Sequence, residues 1–164
     1  MHVAITAGLI NAGINAPLGW VAVPAQHMLP IWGVPGVALD LVTTAFGSAV
    51  GMLVVMTPQI RRKMASGRLA RPTLPAPVRS RLAHWPHRTW SRALSLGLLT
   101  VLVAAPLPLA SMAVLGVAGL DRGGFTLLKG GFALAVGVLL APVVLAAAVA
   151  EDHRDRRSGG SSTA

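Results

Sequence analysis

Residues Val37 to Thr57 read VALDLVTTAFGSAVGMLVVMT, and residues 58–63 read PQIRRK. A helix needs about 20 mostly apolar residues to cross a bilayer core of about 30 Å. The first stretch has that length, holds one charge, Asp40, and stops at a basic cluster. Val3 to Val23 meets the same criterion. Ala93 to Leu120 and Phe125 to Ala150 are longer, so they are expected to tilt or project beyond the core. The expected fold is an all-α membrane protein with four transmembrane helices arranged as two helical hairpins. Residues 1–57 form the first hairpin, 58–92 a basic connection, 93–150 the second hairpin and 151–164 a disordered tail.

Charge sets the expected orientation. The connection carries Arg61, Arg62, Lys63, Arg68, Arg71, Arg79, Arg81, Arg88 and Arg92 with no acidic residue. The tail adds Arg154, Arg156 and Arg157 against Glu151, Asp152 and Asp155, and the other side has only Arg122 beside Asp121. Short loops rich in Lys and Arg stay cytoplasmic, so both termini are expected in the cytoplasm. Charged residues make up 12% of the chain, about half the usual share for soluble domains, which sets nucleic-acid binding aside despite a net charge of +9. Anionic lipid head groups are the expected partner. The chain has no cysteine, so disulfides and thiol chemistry are excluded. Met1-His2-Val3 lacks the basic start of a signal peptide, and the run behind it is long enough to stay as an anchor. The bias toward Ala, Gly and Arg suits a bacterial source.

The two hairpins read as copies of one unit. Gly8-Leu9-Ile10 precedes Ala16-Pro17-Leu18 as Gly97-Leu98-Leu99 precedes Ala105-Pro106-Leu107. Gly47 and Pro58 match Gly131 and Pro142 at a shared interval. Two spans per copy gives a parallel repeat, a pattern some transporters share.

Asp40 and Lys129 are the charged residues inside the spans, and ionisable groups there are functional candidates. Both helices enter from the same face, and at 1.5 Å per residue the two charges lie at matched depth. Asp40 precedes Thr43, Thr44, Gly47 and Gly51, and Lys129 precedes Ala133, Gly137 and Ala141. Small-residue faces mark helix contacts, so an Asp40–Lys129 pair inside the bundle is expected. Two readings stand for it: a structural cap, snorkel or packing pair, and a part in solute or proton handling. Asn11 and Asn15 share one face of the first helix and must find partners, because hydrocarbon offers none. They either bond between helices or line a polar path beneath Asp40 with Thr43 and Thr44.

Pro17, Pro106, Pro108 and Pro142 are expected to kink their helices. Gly47-xxx-Gly51 allows close helix approach, within the fold or between copies. Asp121 to Gly124 reads as the tight turn of the second hairpin. Arg61, Arg62, Lys63, Arg79, Arg81, Trp85 and Trp90 are expected at lipid head groups, with Trp20 and Trp32 in the opposite aromatic belt. Gln26 and His27 lie in a Pro-rich turn and read as a gate or as solvated residues. His84 and His87 have a loose metal-like spacing without acidic or thiol ligands nearby, so no metal and no cofactor is expected. HExxH, GxSxG, P-loop and dinucleotide fingerprints are absent, and an enzyme is not expected.

The order Asn11 and Asn15, Asp40, Thr57-Pro58 before Arg61-Arg62, then Lys129 resembles small bacterial four-helix inner-membrane proteins described as permease-like. That resemblance implies an inner-membrane protein tied to transport, acting as a homo-oligomer because four helices offer little wall for a solute path. The alternative is a non-transporting subunit or assembly partner that uses its basic loop to hold lipid or protein.

Overall fold

The computed structural model describes residues 2–24, 27–70, 75–83, 85 and 88–159. Its order is α1 (His2–Ala22), β1 (Leu29–Pro30), α2 (Val37–Ala65), α3 (Ala76–Ala83), α4 (Thr89–Ala104), α5 (Pro106–Val114), β2 (Gly119–Leu120) and α6 (Arg122–Gly159). Among the described residues every regular element is a helix, apart from one pair of two-residue strands. Among the described residues three helical stretches are long and apolar enough to cross a membrane: Val37–Ala65, Thr89–Val114 and Arg122–Asp152. In α1, 21 residues long, Asn11, Asn15 and Pro17 dilute the apolar run, and it falls outside that set.

Element ends follow local chemistry. Gly36 precedes α2 in an extended conformation, and its carbonyl accepts the Asp40 N–H at 3.1 Å. Pro58 lies inside α2, which runs past the expected boundary at Thr57 for two more turns and carries Arg61, Arg62 and Lys63 with it. The helix stops where Gly67 adopts φ +71°, a left-handed conformation that glycine takes without a Cβ clash. Pro106 breaks the third span into α4 and α5, and residues 115–120, expected as helix, are not helical.

Asp121 corrects the expected turn. Its side chain accepts the Gly124 N–H at 2.8 Å and its carbonyl the Phe125 N–H at 2.9 Å, so it caps α6. Arg122 to Gly124 are therefore helical, and the chain reverses earlier, at Gly116 with φ +65°. At the other end α6 continues through Glu151 to Gly159, residues expected to be a disordered tail. Residues 160–164 lie outside the described residues.

The hairpin expectation needs the larger correction. α1 packs along α6 and α4 packs along α2, while α2 also meets α6; α1 and α2 barely touch. The lateral order is α1–α6–α2–α4, with α6 inside. Its apolar window is 56% buried, against 28% for α2 and 22% for α4–α5. The α1–α6 seam is made by glycines. A Cβ on Gly137 would stand 2.7 Å from Gly8 Cα, and one on Gly8 would stand 2.8 Å from Leu134 O. Two apolar clusters fill the bundle. Val23, Ile31, Val37, Leu41, Met112 and Phe125 form one near the strand pair. Leu53, Leu96, Val136 and Val144 anchor the other, toward the basic end.

The intervals that pair the two halves in the sequence also relate several contacts, with the helices exchanged. α1 on α6 answers to α4 on α2. Gly8 faces Leu134 as Gly97 faces Val50, residues separated by the sequence intervals that relate the two copies. Pro30 pairs with Gly119, its own counterpart at the Gly8–Gly97 interval, and Leu29 pairs with Leu120. The Ile31 N–H completes the set on Ala118 O at 3.1 Å.

Candidate functional site

Asp40 sits in the first turn of α2 and Lys129 two turns into α6, and the α2–α6 packing brings them together. Lys129 Nζ donates to Asp40 Oδ1 at 2.5 Å. Their side chains are 8% and 22% exposed, so the pair is sheltered on the lysine side. The Lys129 stem rests on the bare backbone of Gly19, where an added Cβ would meet Lys129 Cδ at 3.2 Å. Thr44 donates to Asp40 Oδ2 at 3.4 Å, and Thr43 to the Asp40 carbonyl at 2.9 Å. Both carboxylate oxygens are thus occupied, one by charge and one by a hydroxyl.

Asn11 bonds between helices, Asn15 bonds within α1, and both line a cavity. Asn11 is buried and donates to Ala133 O on α6 at 2.7 Å. Its Oδ1 accepts from Asn15 Nδ2 at 3.1 Å and from Ser48 Oγ of α2, also at 3.1 Å. Asn15 Nδ2 also reaches the Asn11 carbonyl at 2.9 Å. Because α1 and α2 lie on either side of α6, a cavity of about 550 Å³ opens between them. Asn11, Asn15, Thr43, Thr44 and Ser48 supply its polar wall, and Ile10, Ile14, Met52, Val55 and Met56 its apolar wall. That volume lies within the usual range for small-molecule sites. Within the fold Gly47 and Gly51 meet no other helix and line the cavity, with no atom within 4 Å of an added Cβ. Asp40 and Lys129 stand outside the lining. The polar set foreseen as one site therefore divides into a charged clasp and a neutral cavity.

Ser48 escaped the sequence reading, although it lies one helical turn beyond Thr44 on the same face. The second ion cluster escaped it too. Glu151 of α6 binds Arg92 of α4 and Arg61 of α2, the latter at 3.5 Å. Arg92, assigned to a solvated loop, is 3% exposed. The signal was available, since Glu151 is the first acidic residue after the last apolar run and faces a connection without one.

The other sequence-derived residues scatter. Arg62, Lys63 and Trp90 are exposed, as head-group contacts require. Trp85 is half-buried against the cluster around Leu53 and Leu96, so it anchors the core more than an interface. The side chains of Arg79 and Arg81 lie outside the described residues, as do Gln26, His84 and His87. His27 and Trp32 are exposed. Trp20 meets Arg122, whose guanidinium lies 4.2 Å from the ring centroid and whose Nε donates to Trp20 O at 2.6 Å. Among the described residues no group of His, Asp and Glu could hold a metal ion.

Fold and composition define a class: a helical, multi-pass membrane protein. Compared with protein-family models, curated proteins and solved structures, the chain matches none.

Proposed function

We propose that this is a permease-like, transport-associated protein of the bacterial inner membrane, without catalytic activity, and that the α1–α2 cavity is where it takes up its cargo. One observation carries the reading. Six hydrogen-bonding side chains from two helices, Gln59 and the five around Asn15, line a cavity of about 550 Å³ between α1 and α2. In this reading α1 is a fourth crossing, because it packs along α6 from Gly8 to Gly19. Both termini face the cytoplasm, as the arginine asymmetry requires. Arg62 and Lys63 hold anionic head groups there.

The absence of native cysteine makes the test clean. Single cysteines at Thr43, Ser48 and Gly51 should react with N-ethylmaleimide in native membranes, while one at the fully buried Ala49 should not. Labelling of the three only after detergent extraction would mean that a partner protein covers the cavity, and the non-transporting subunit would be the better description. Reporter fusions at residue 75 and the C-terminus should give cytoplasmic signals, and fusions at 28 and 122 the opposite. A periplasmic signal from position 75 would overturn the orientation.

A further inference from the structure

The hydrogen bonds of the cavity wall restrict what can sit in it. The polar side chains around Asn15 direct donors inward. The Asn15 amide nitrogen donates to Asn11, reaching both its carbonyl and its Oδ1. The Ser48 hydroxyl goes to Asn11 Oδ1, the Thr43 hydroxyl to Asp40 O and the Thr44 hydroxyl to Asp40 Oδ2. The amide orientations are fixed, because Asn11 and Asn15 each donate to a backbone carbonyl, which only accepts. The acceptors left on this part of the wall are Asn15 Oδ1 and the lone pairs of the three hydroxyls, and they outnumber the donors left over. Gln59, a lining side chain outside this network, stands about 16 Å away along α2 at 1.5 Å per residue.

Charge narrows the class further. Among the described residues the lining holds no Asp, Glu, Lys, Arg or His. An anionic head would meet acceptor oxygens with no cation to pair with. A cationic head would have no free carboxylate, since Asp40 is engaged by Lys129, and an unpaired charge at this depth is strongly disfavoured. A neutral hydrogen-bond donor fits. The remaining wall is aliphatic and thioether, and Ile10, Ile14 and Val55 at its rim are 56%, 57% and 54% exposed. The cavity thus opens sideways, toward hydrocarbon.

From this we infer that the α1–α2 cavity binds an uncharged amphipath, a lipidic alcohol or its N–H equivalent. Such a ligand enters from the bilayer and gives its donor hydrogen to Asn15 Oδ1 and the neighbouring hydroxyl oxygens. The inference rests on the cavity being open, as proposed above, and adds the chemistry of what fills it.

The test uses the full chain with a single Gly47→Cys substitution, at a position with open space around an added Cβ. The protein is placed in nanodiscs of neutral phospholipid, and the rate of N-ethylmaleimide labelling is read at equal membrane loading of three probes: 1-decanol, decyl methyl ether and decanoate. The alcohol should slow labelling saturably, at about tenfold lower loading than the ether, the ratio that one net hydrogen bond supplies. Decanoate should protect no better than the ether. Adding Asn15→Leu should bring alcohol and ether together. Equal protection by alcohol and ether in the unsubstituted wall, or best protection by decanoate, overturns the ligand class. Free labelling with no protection by any probe overturns it too, yet leaves the open cavity standing. A thiol that labels in detergent and not in membranes removes the open cavity, and this inference with it.

Discussion

Where the first half of the chain has Ser48, the second has Phe132, at the interval that relates Gly47 to Gly131. Thr43 and Thr44 answer to Leu127 and Leu128 by the same interval, and Asn11 answers to Thr100 by that of Gly8 and Gly97. Ser48 reaches across to Asn11 and borders a cavity, whereas Phe132 packs into both apolar clusters. Thr100 turns its hydroxyl back on Leu96 O of its own helix, at 2.7 Å. The α4–α2 seam has no counterpart of the Asn11–Ser48 network, and the interhelical polar contacts made by α4 lie at its basic end, where Arg92 meets Glu151. The proposed ligand site is therefore a feature of the first half alone.

The charged clasp is the sharpest break between the halves, because the positions equivalent to Asp40 and Lys129 are Gly124 and Ala45. Removing one member strands the other in a sheltered site, which in buried pairs costs about 3–5 kcal/mol. Asp40→Asn and Lys129→Met should each lower stability by about 3 kcal/mol in mild-detergent unfolding, and the double substitution should lose clearly less than their sum. Additive losses would mean that each residue is served by its own helix end or by head groups, and the clasp would not tie the halves together.

How much of this was legible in the sequence depended on the range of the signal. Matched depth and small neighbours placed Asp40 opposite Lys129, because both quantities are set within one helix. Asn11 and Asn15 had to find partners in hydrocarbon, and they did. The partner helices were the part out of reach. Short connections favour hairpin neighbours, but the Gly8–Gly137 approach lets α6 displace α2 from α1, and a seam of that kind depends on two distant segments meeting. The same displacement opened the cavity and left Gly47 and Gly51 in its lining rather than at a contact within the fold. The helix ends failed for local reasons: Asp121 serves as a cap, and Pro58 is tolerated inside α2.

A smaller effect separates the two glycine seams. A Cβ on Gly137 meets backbone, Gly8 Cα at 2.7 Å and Ala7 O at 3.1 Å, and neither can move alone. A Cβ on Gly97 meets the Phe46 ring at 2.7 Å, and a ring can rotate away. Overpacking costs about 1–3 kcal/mol in well-filled interiors, so Gly137→Ala should fall near the top of that range and Gly97→Ala near or below its bottom. Equal losses in detergent unfolding would show that the α1–α6 and α4–α2 seams are equally rigid, and the exchange symmetry would extend to energetics.

The smallest expected effect gives the first half the residue of the second. Ser48→Phe removes one hydrogen bond, yet Asn11 Oδ1 still accepts from Asn15, so no buried acceptor is stranded. The ring enters existing space beside Met52 and Gly51 rather than filled core. Loss of a net hydrogen bond, about 1 kcal/mol, is offset by apolar contact of similar size, and stability should stay within about 1 kcal/mol of the parent. Thiol labelling at Gly51→Cys should slow severalfold in the same background, because the ring occupies the approach. A stability loss several times larger, with labelling unchanged, would mean that the Asn11–Ser48 contact holds α2 in place. The polar network would then be part of the scaffold after all, and the contrast between the halves would be one of packing alone.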